Sequence, residues 1–296
     1  MTDPQLRAVI SERRQLINLA YRLLGSLSEA EDVVQETYAR WYALSEQQRD
    51  AVDKPGAWLT TVAGRICLDL LGSARARREQ YVGEWIPEPV PSAAERFGAG
   101  TSTDPADRVT LDESISMAFL VVLDSMTPAE RVAFVLHDVY RYPFAEIAEI
   151  VGRTPAACRQ LASSARRRVD TSRSPSTAER AEVIRDFKRA WETSDLTALI
   201  GLLDPTAIAT ADSGGRALAF LDPIIGGAHI AHAWVEIVAR GPEVTLIERT
   251  VNGQPGLVAD HNGTIISVFA FDIADNRVTR IWVTRNPEKL RLWTTG

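Results

Sequence analysis

The sequence predicts a multidomain protein in which two all-α domains precede a C-terminal α+β domain. Apolar residues recur with helical spacing up to about residue 170, and short strand-like runs separated by turn residues follow. Two stretches rich in Pro, Gly, Ser and Thr interrupt the 296-residue chain. These changes predict domains at 1–80, 107–170 and 178–296, with linkers at 81–106 and 171–177.

The first domain is predicted to contain three helices. Apolar residues at i, i+3 and i+4 predict a helix over residues 16–24, which Gly25 ends. Ser28 and Glu31 have the spacing of a capping box and predict the start of the second helix. A turn at residues 53–56 precedes the third helix.

The second domain is predicted to end in a helix-turn-helix. Thr127-Pro128-Ala129-Glu130 predicts a capping box with proline at the first helical position. Two helices then flank the turn at Gly152-Arg153, and Thr154-Pro155 opens the second of them. The apolar positions predicted to be buried in this pair are Ile147, Ala148, Val151, Ala157, Leu161 and Ala165.

The C-terminal domain is predicted to hold both helices and hairpins. Helices are expected over about 178–192, 195–203 and 227–240. Asn252-Gly253, Asn262-Gly263 and Asp275-Asn276 are hairpin turn signals. Strands are predicted at 206–211, 216–220, 244–251, 256–261, 264–271 and 277–284.

Charge is distributed unevenly along the chain. The net charge of −6 disfavours nucleic-acid binding by the chain as a whole. Between Arg65 and Arg78, however, four arginines stand against one acid, and between Arg153 and Arg173 six stand against one. Two such basic clusters suggest two contacts with a polyanion, although solvated helix faces are the alternative interpretation.

The remaining composition favours a reducing compartment. Cys67 and Cys158 are too few for a disulfide framework and are predicted to be small packing residues. No apolar run has the length of a membrane span, and the N-terminal residues lack a signal peptide's apolar stretch. A cytoplasmic protein without membrane contact is therefore expected.

The strongest functional motif is the acidic helix segment Glu29-Ala-Glu-Asp-Val-Val-Gln-Glu-Thr37, followed by Arg40 and Trp41. Its acidic, hydrogen-bonding face suits docking of a basic helical partner. The string resembles region 2.2 of bacterial sigma factors of the extracytoplasmic-function type. The resemblance implies that this helix binds the β′ clamp helices of core RNA polymerase. The expected contact residues are Asp32, Gln35, Glu36 and Trp41.

The resemblance continues through Pro55-Gly-Ala-Trp-Leu59 and the arginines that follow. These strings are similar to regions 2.3 and 2.4, which melt the −10 promoter element and hold its non-template strand. Arginine neutralises phosphates and aromatic rings receive unstacked bases, which suits that task. The expected −10 contacts are Trp58, Arg65, Arg75, Arg77 and Arg78. The sequence departs from the family at Arg65 and Gly72, where many members have Asn and Arg.

The helix-turn-helix over residues 143–168 resembles region 4.2, which reads the −35 element. The resemblance implies contact with promoter DNA and with the β flap of the polymerase. Recognition helices enter the major groove by their N-terminal residues, and arginines at the far end suit phosphates. The expected −35 contacts are Arg153, Thr154, Arg159, Gln160, Ser163, Arg166 and Arg167.

The linker string over 81–89 and the extra domain resemble the SigJ-like group of these factors, which carry a C-terminal SnoaL-like (NTF2-like) cone domain. Asp212-Ser-Gly-Gly-Arg216 and Asn286-Pro-Glu-Lys-Leu290 are similar to the Asp-Gly-Gly-Gly-Lys loop and the Asn-Pro-Asp-Lys-Leu tail of that group. The resemblance implies regulation in cis, without a membrane-bound anti-sigma factor. The expected regulatory contacts are Tyr81, Trp85, Pro87, Asp212, Arg216, Asn286, Pro287, Lys289 and Leu290.

An enzymatic C-terminal domain is not expected, although SnoaL-like folds include cyclases and isomerases. His229 and His232 lie three positions apart on a predicted helix, but no third metal ligand is evident. We therefore predict no catalytic residues, metal or cofactor, and interpret both histidines as surface or pocket-edge residues. A pocket in this domain could bind a small-molecule effector.

Two alternatives to a cis-regulated sigma factor stay open at this point. A DNA-binding sensor that is not a sigma factor would also use the helix-turn-helix, but it would not need the acidic face at residues 29–41. A SnoaL-type isomerase with a helical appendage would need an acid–base pair, which the sequence does not designate.

Overall fold

The computed structural model describes residues 12–78, 81–92, 115–169, 176–240 and 243–294. The chain divides into two compact units. The first comprises Met1–Glu79, Thr101–Asp112 and Phe119–Asp170, and the second Gln80–Gly100, Glu113–Ala118 and Thr171–Gly296. The predicted order of helical parts before an α+β domain is confirmed. In the described part of the chain, no helix is long and apolar enough to cross a membrane.

The N-terminal part of the first unit contains four helices, of which all but the short α3 bury apolar residues. They are α1 (Arg13–Leu24), α2 (Leu27–Ala43), α3 (Glu46–Asp50) and α4 (Pro55–Arg78). Gly25 ends α1 with a φ of 72°, as predicted. Ser26, rather than the predicted Ser28, caps α2, because its hydroxyl accepts the N–H of Glu29. Cys67 is fully buried in α4, as predicted.

The helix-turn-helix follows a helix with an irregular end. The elements are α5 (Met117–Asp124), α6 (Pro128–Phe134), a π-helical turn (Val135–Val139), α7 (Phe144–Val151) and α8 (Pro155–Arg166). The capping box of Thr127 and Glu130 at the start of α6 is confirmed. The start of the domain predicted at 107–170 falls outside the described residues, which resume at 115.

The buried face of the helix-turn-helix differs in part from the prediction. Helix α7 buries Ile147 and Ile150, and α8 buries Cys158, Ala162 and Ala165. The predicted Ala148, Val151, Ala157 and Leu161 are only half-buried. The stripe in α8 is therefore displaced by one position toward Cys158, which packs like an apolar residue, as predicted for this cysteine.

The C-terminal domain is a mixed sheet covered by helices. Its elements are α9 (Thr177–Glu192), α10 (Leu196–Leu202), β1 (Leu203–Asp212), β2 (Ile224–Ile225), α11 (Gly227–Arg240), β3 (Thr245–Val251), β4 (Gln254–His261), β5 (Thr264–Ala274), β6 (Arg277–Thr284) and α12 (Arg291–Thr294). The strand order is β2-β1-β6-β5-β4-β3, and only the β1–β6 pair among these strands is parallel.

The hairpin turns behave as their sequences predict. Asn252-Gly253, Asn262-Gly263 and Asp275-Asn276 all have positive φ, the geometry of tight two-residue turns. The strand predicted at 216–220 is wrong. Gly214 and Gly215 also have positive φ and turn the chain away from the sheet, which it rejoins only at the two-residue β2.

An aromatic core joins α9 and α11 to the sheet. Trp191 packs edge-on against Phe269 with ring centroids 5.2 Å apart, and Phe187 packs against Phe271 at 5.4 Å. The Trp191 indole N–H donates to the carbonyl of Trp234. Burial of such rings dominates core energetics, so the sheet provides a rigid support for the loops at its ends.

Candidate functional site

Asp212, the last residue of β1, is the centre of a buried polar network. Its carboxylate is fully buried and accepts the Tyr81 hydroxyl at 2.5 Å, the Ile86 N–H at 3.0 Å and the Gly214 N–H at 3.1 Å. The Lys289 ammonium lies 2.6 Å from its second oxygen. A buried charge requires an opposite charge and hydrogen bonds, and Asp212 has both.

Sheet topology brings the two ends of this network together. Asp212 pairs with Thr284 across the parallel β1–β6 ladder. The N–H groups of Arg285 and Asn286 both donate to the Asp212 carbonyl, at 2.7 and 3.0 Å. The Asn286 side chain then accepts the Glu288 N–H and donates to the Tyr81 hydroxyl. This short turn after β6 directs Lys289 toward Asp212.

Lys289 is held by aromatic rings as well as by charge. Its ammonium lies 4.2 Å from the centroid of the Trp85 ring and 5.5 Å from that of Tyr81. It also donates to the Ile86 carbonyl. Cation–π attraction is strongest where water is excluded, and the Lys289 side chain is only 12% exposed.

A second set of contacts fixes the other end of the linker segment. The Val90 N–H donates to the Asn252 side chain at 3.1 Å, and the Asn252 N–H donates back to the Val90 carbonyl at 2.9 Å. Pro91 forms an antiparallel bridge with Val251, and Trp293 donates to the Pro89 carbonyl. We call this arrangement the linker-docking site: residues 81–92 on one side, and Asp212, Asn252, Asn286, Lys289 and Trp293 on the other.

Most residues predicted to make regulatory contacts meet here. Tyr81, Trp85, Asp212, Asn286 and Lys289 form one network. Pro87 and Leu290 are buried, whereas Pro287 is exposed. Arg216 is placed elsewhere: it forms an exposed ion pair with Glu288 at 2.9 Å.

The prediction missed Asn252, Trp293 and the main chain of Ile86. Asn252 was identified only as a turn residue and Ile86 only as part of the linker string over 81–89, and no local pattern marks Trp293 as a contact. The packing also requires a glycine at position 214, because a Cβ there would lie 2.5 Å from the Asn286 amide nitrogen. Burial and the hydrogen bond to Asp212 raise the pKa of Tyr81, so its hydroxyl remains a donor.

The helix-turn-helix presents a largely exposed polar surface. Arg153, Gln160, Ser163 and Arg167 are exposed. The Thr154 hydroxyl accepts the N–H of Ala157 and so caps α8.

Two arginines of α8 have partners within the helical unit. The guanidinium of Arg159 lies 5.4 Å from the Phe144 ring centroid. Arg166 donates twice to one carboxylate oxygen of Asp138, at 2.9 and 2.5 Å. Both side chains are therefore oriented before any ligand arrives.

The predicted −10 residues lie on α4. Trp58 packs edge-on against Trp41 with ring centroids 5.2 Å apart. Arg65 is exposed and donates to the Glu149 carbonyl of α7 at 3.0 Å. Arg75, Arg77 and Arg78 fall in the last turns of α4, where side chains lie outside the described part of the structure.

The acidic face of α2 is exposed as its sequence predicts. Asp32, Gln35 and Glu36 point to solvent, and Glu36 pairs with Arg40 one turn later. Trp41 differs from these residues because it is only 3% exposed. The structure places it beneath the face, where it supports α2 against α4.

The two helical parts of the first unit contact each other directly. Arg22 donates to the Tyr140 hydroxyl at 2.9 Å, and Tyr142 donates to the Thr60 hydroxyl at 2.9 Å. The buried Arg131 guanidinium reaches the carbonyl of Leu23 at 2.8 Å. Helix α4 and the helix-turn-helix are thus packed together in this arrangement.

The histidines of the C-terminal domain lie near its surface. His229 and His232 are exposed on α11, and a ring nitrogen of His229 lies 2.9 Å from the Ile225 carbonyl. Among the described residues, no group of three His, Cys, Asp or Glu side chains is placed to hold a metal ion.

Comparison with known proteins assigns the helical parts to families. Residues 9–77 match the family Sigma-70 region 2, and residues 116–169 match Sigma-70, region 4. The chain is 36% identical over 293 residues to the ECF RNA polymerase sigma factor SigJ of Mycobacterium tuberculosis, covering 94% of this chain and 90% of that protein. The chain belongs to the extracytoplasmic-function (ECF) sigma factor family.

Further similarities extend over nearly the whole length of this sigma factor. It is 34% identical to the probable ECF sigma factor SigI of the same species, over 97% of this chain and 95% of that protein. The crystal structure of M. tuberculosis SigJ aligns with a TM-score of 0.75 over 97% of this chain at 33% identity. The protein is therefore a sigma factor that binds core RNA polymerase and promoter DNA and directs transcription initiation.

Proposed function

We propose that the C-terminal domain of this sigma factor restrains transcription initiation in cis by binding the linker between regions 2 and 4. The observation that carries this proposal is Asp212: a buried carboxylate with a lysine and two linker donors as partners. Release of residues 81–92 would leave Asp212 and Lys289 to be resolvated. Release of the linker therefore requires free energy, because these contacts must first be broken.

Restraint follows from where this linker lies in the chain. Region 2 ends near residue 77 and region 4 begins near residue 116, so the bound segment lies between them. Binding part of that segment shortens the chain that is free to span the distance between the two promoter elements. Activation is then a population shift from the bound to the released linker.

We further propose specific contacts with polymerase and DNA. Asp32, Gln35 and Glu36 on α2 contact the β′ clamp helices, and Trp41 supports that face from beneath. Trp58, Arg65, Arg75, Arg77 and Arg78 act at the −10 element. Arg153, Thr154, Arg159, Gln160, Ser163, Arg166 and Arg167 act at the −35 element, with Thr154 positioning the helix it caps. Region 4 also binds the β flap.

The functional boundaries in this proposal are the predicted ones. Region 2 occupies residues 1–80, region 4 residues 107–170 and the SnoaL-like domain residues 178–296. Residues 81–106 act as the regulatory linker and residues 171–177 as a tether. Because the linker and the C-terminal domain belong to one chain, their effective concentration is high, and a modest affinity is enough to keep the linker bound.

The C-terminal domain is proposed to act by binding and not by turnover. Its buried carboxylate, Asp212, is already engaged by Lys289 and the linker. A cavity of about 300 Å³ in the same unit is lined by polar Arg180, Gln254 and Asp272 and by apolar Met117, Val251 and Phe271. We propose that a small polar effector binds there. A thermal-shift screen in which no small polar compound raises Tm would contradict this second proposal.

Cis restraint is tested by weakening the docking site in the full chain. Tyr81→Phe, Lys289→Met and their combination are assembled with core polymerase, and runoff transcription from a cognate promoter is measured. We expect transcription to rise in each variant and most in the double variant. Asp204→Asn is the control, because Asp204 lies at the other end of β1 and, in the described contacts, its carboxylate accepts hydrogen bonds only from Thr206. Unchanged or reduced transcription in the double variant would overturn the restraining role.

The polymerase face is tested separately. Asp32→Ala with Gln35→Ala is expected to lower the affinity of the full chain for core polymerase at least tenfold, about 1.4 kcal/mol. Glu46→Ala with Gln47→Ala is the matched control, since it removes the same groups from exposed positions on α3. Equal affinity of the two double variants would remove α2 from the interface.

A further inference from the structure

Arg159 has an unusual environment for a residue proposed to contact DNA. It is exposed as the fifth residue of α8, yet its guanidinium lies over the ring of Phe144, 5.4 Å from the ring centroid. Phe144 is the first residue of α7. The side chain that would enter the groove is therefore braced by the other helix of the motif.

Phe144 has a second aromatic neighbour. The His137 ring stacks on it with centroids 3.9 Å apart and an interplanar angle of 27°. A ring nitrogen of His137 lies 3.0 Å from the Tyr142 carbonyl, which fixes the orientation of the imidazole. Phe144 therefore contacts both His137 and Arg159, and these contacts join the π-helical turn, α7 and α8.

The backbone around His137 is irregular in a way that places this ring. His137 belongs to the π-helical turn, and Arg141 just after it has a positive φ of 62°. Single π turns and left-handed non-glycine residues are costly and are often found at functional positions. Here they turn the chain so that His137 and Phe144, seven positions apart, lie face to face.

Bracing of Arg159 has a physical consequence for DNA binding. An exposed arginine loses much rotamer freedom when it is immobilised on a base or phosphate. A guanidinium that is already held over a ring in the free protein has less rotamer freedom left to lose when DNA binds. The planar fork is then presented in one orientation, which bidentate recognition of guanine requires.

We propose that Phe144, supported by His137, is a positioning residue that presents Arg159 to a guanine of the −35 element. This inference rests on the proposed function in one respect, the contact of Arg159 with −35 DNA. It adds that −35 base preference depends on a ring that does not itself touch DNA. A merely structural Phe144 would stabilise the motif without affecting which base is preferred.

The test is a double-mutant cycle on the holoenzyme of the full chain with core polymerase. Phe144→Leu, Arg159→Ala and the double variant are measured against promoter duplexes in which each −35 G·C pair is replaced in turn. We expect Arg159→Ala to weaken binding about 10- to 100-fold and to abolish the preference at one pair. Phe144→Leu should weaken binding about threefold to fivefold and reduce the preference at that same pair.

The decisive comparison is made in the Arg159→Ala background. There, Phe144→Leu is expected to cause no further loss, because the side chain that it positions is gone. Phe144→Tyr, which keeps the ring, should retain both affinity and preference. Phe119→Leu is the control for loss of a ring in the same helical unit, where Phe119 contacts Phe134.

The possible results separate the positioning role of Phe144 from the DNA contact of Arg159. An equal loss from Phe144→Leu in both backgrounds would assign Phe144 a structural role and overturn this inference, while leaving the −35 contact of Arg159 intact. Unchanged binding by Arg159→Ala would instead remove Arg159 from the proposed function. If Phe144→Leu fails to fold, His137→Leu is used in the same cycle, with the same expected loss of preference and the same result overturning the inference.

Discussion

The linker-docking site and the helix-turn-helix both depend on charged side chains, but the first buries them and the second exposes them. In the docking site Asp212 contacts Tyr81 and Lys289, which lie 131 and 77 positions away along the chain, and the charged groups are buried. In the helix-turn-helix the functional side chains lie within 15 residues of one another and most are exposed. The contacts of the linker-docking site are already formed within the protein and must be broken to release the linker. The helix-turn-helix surface is exposed and available to bind DNA.

This difference determines how each region responds to substitution. Removing one member of a buried ion pair leaves an uncompensated charge, which costs far more than the pair contributes when intact. Removing an exposed arginine changes little until a ligand binds. The docking site should therefore be fragile and cooperative, and the DNA-binding surface tolerant in the free protein.

The largest effect is expected from Asp212→Asn. The change leaves the Lys289 ammonium buried without its counter-ion and should weaken linker docking by about 3–5 kcal/mol. Hydrogen exchange of the Ile86 amide, which donates to Asp212, should accelerate by at least about 100-fold, since 1.4 kcal/mol corresponds to tenfold. The Asp204→Asn control should leave that exchange rate unchanged. Continued protection of Ile86 in Asp212→Asn would mean that Asp212 is not the anchor.

An intermediate effect is expected from Glu130→Gln, the buried carboxylate of the helical unit. Glu130 accepts the Ser164 hydroxyl at 2.9 Å and the Thr127 N–H at 3.0 Å. Burial by itself raises its pKa, but these hydrogen bonds and the charge of Arg168 outweigh it and lower the pKa below 4.5. The substitution should destabilise α6 and α8 by about 1–2 kcal/mol at neutral pH.

The sign of the pH dependence follows from that lowered pKa. The ionised form is favoured by folding, so its contribution is complete above 4.5 and is lost as the pH falls through the lower folded value. The difference between wild type and Glu130→Gln in α8 amide exchange should therefore shrink in acid. Exposed Glu149→Gln is the control. A difference that grows below pH 4.5 would contradict the assignment.

The smallest effect is expected from Arg216→Ala. Its ion pair with Glu288 is solvent-exposed, with side chains 61% and 48% accessible. Such pairs contribute less than about 1 kcal/mol, so Ile86 exchange should change by about twofold or less. Charge reversal by Arg216→Glu tests the same point more severely. If either variant released the linker as Asp212→Asn is expected to do, Arg216 would belong to the docking site after all.

Local features of the fold were predictable because they depend on residues within about four positions. The Thr127–Glu130 box, the left-handed Gly25 and the three Asn/Asp-initiated hairpin turns all require only their own neighbours. The errors occurred where neighbours compete. Ser26 and Ser28 both could cap α2. The mostly apolar run at 216–220 resembles a strand, but Gly214 and Gly215 before it turn the chain away from the sheet.

The sequence by itself determined the order of domains, the helix-turn-helix, the acidic face of α2 and the strings that make up the docking site. Only the tertiary structure decided which members of those strings meet. It places Lys289 on Asp212 and leaves Arg216 outside, buries Trp41, and stacks Arg159 on Phe144. The reason is physical: helix and turn signals act within a few residues, whereas burial and ion pairing depend on which distant segments the sheet and helices bring within a few ångströms.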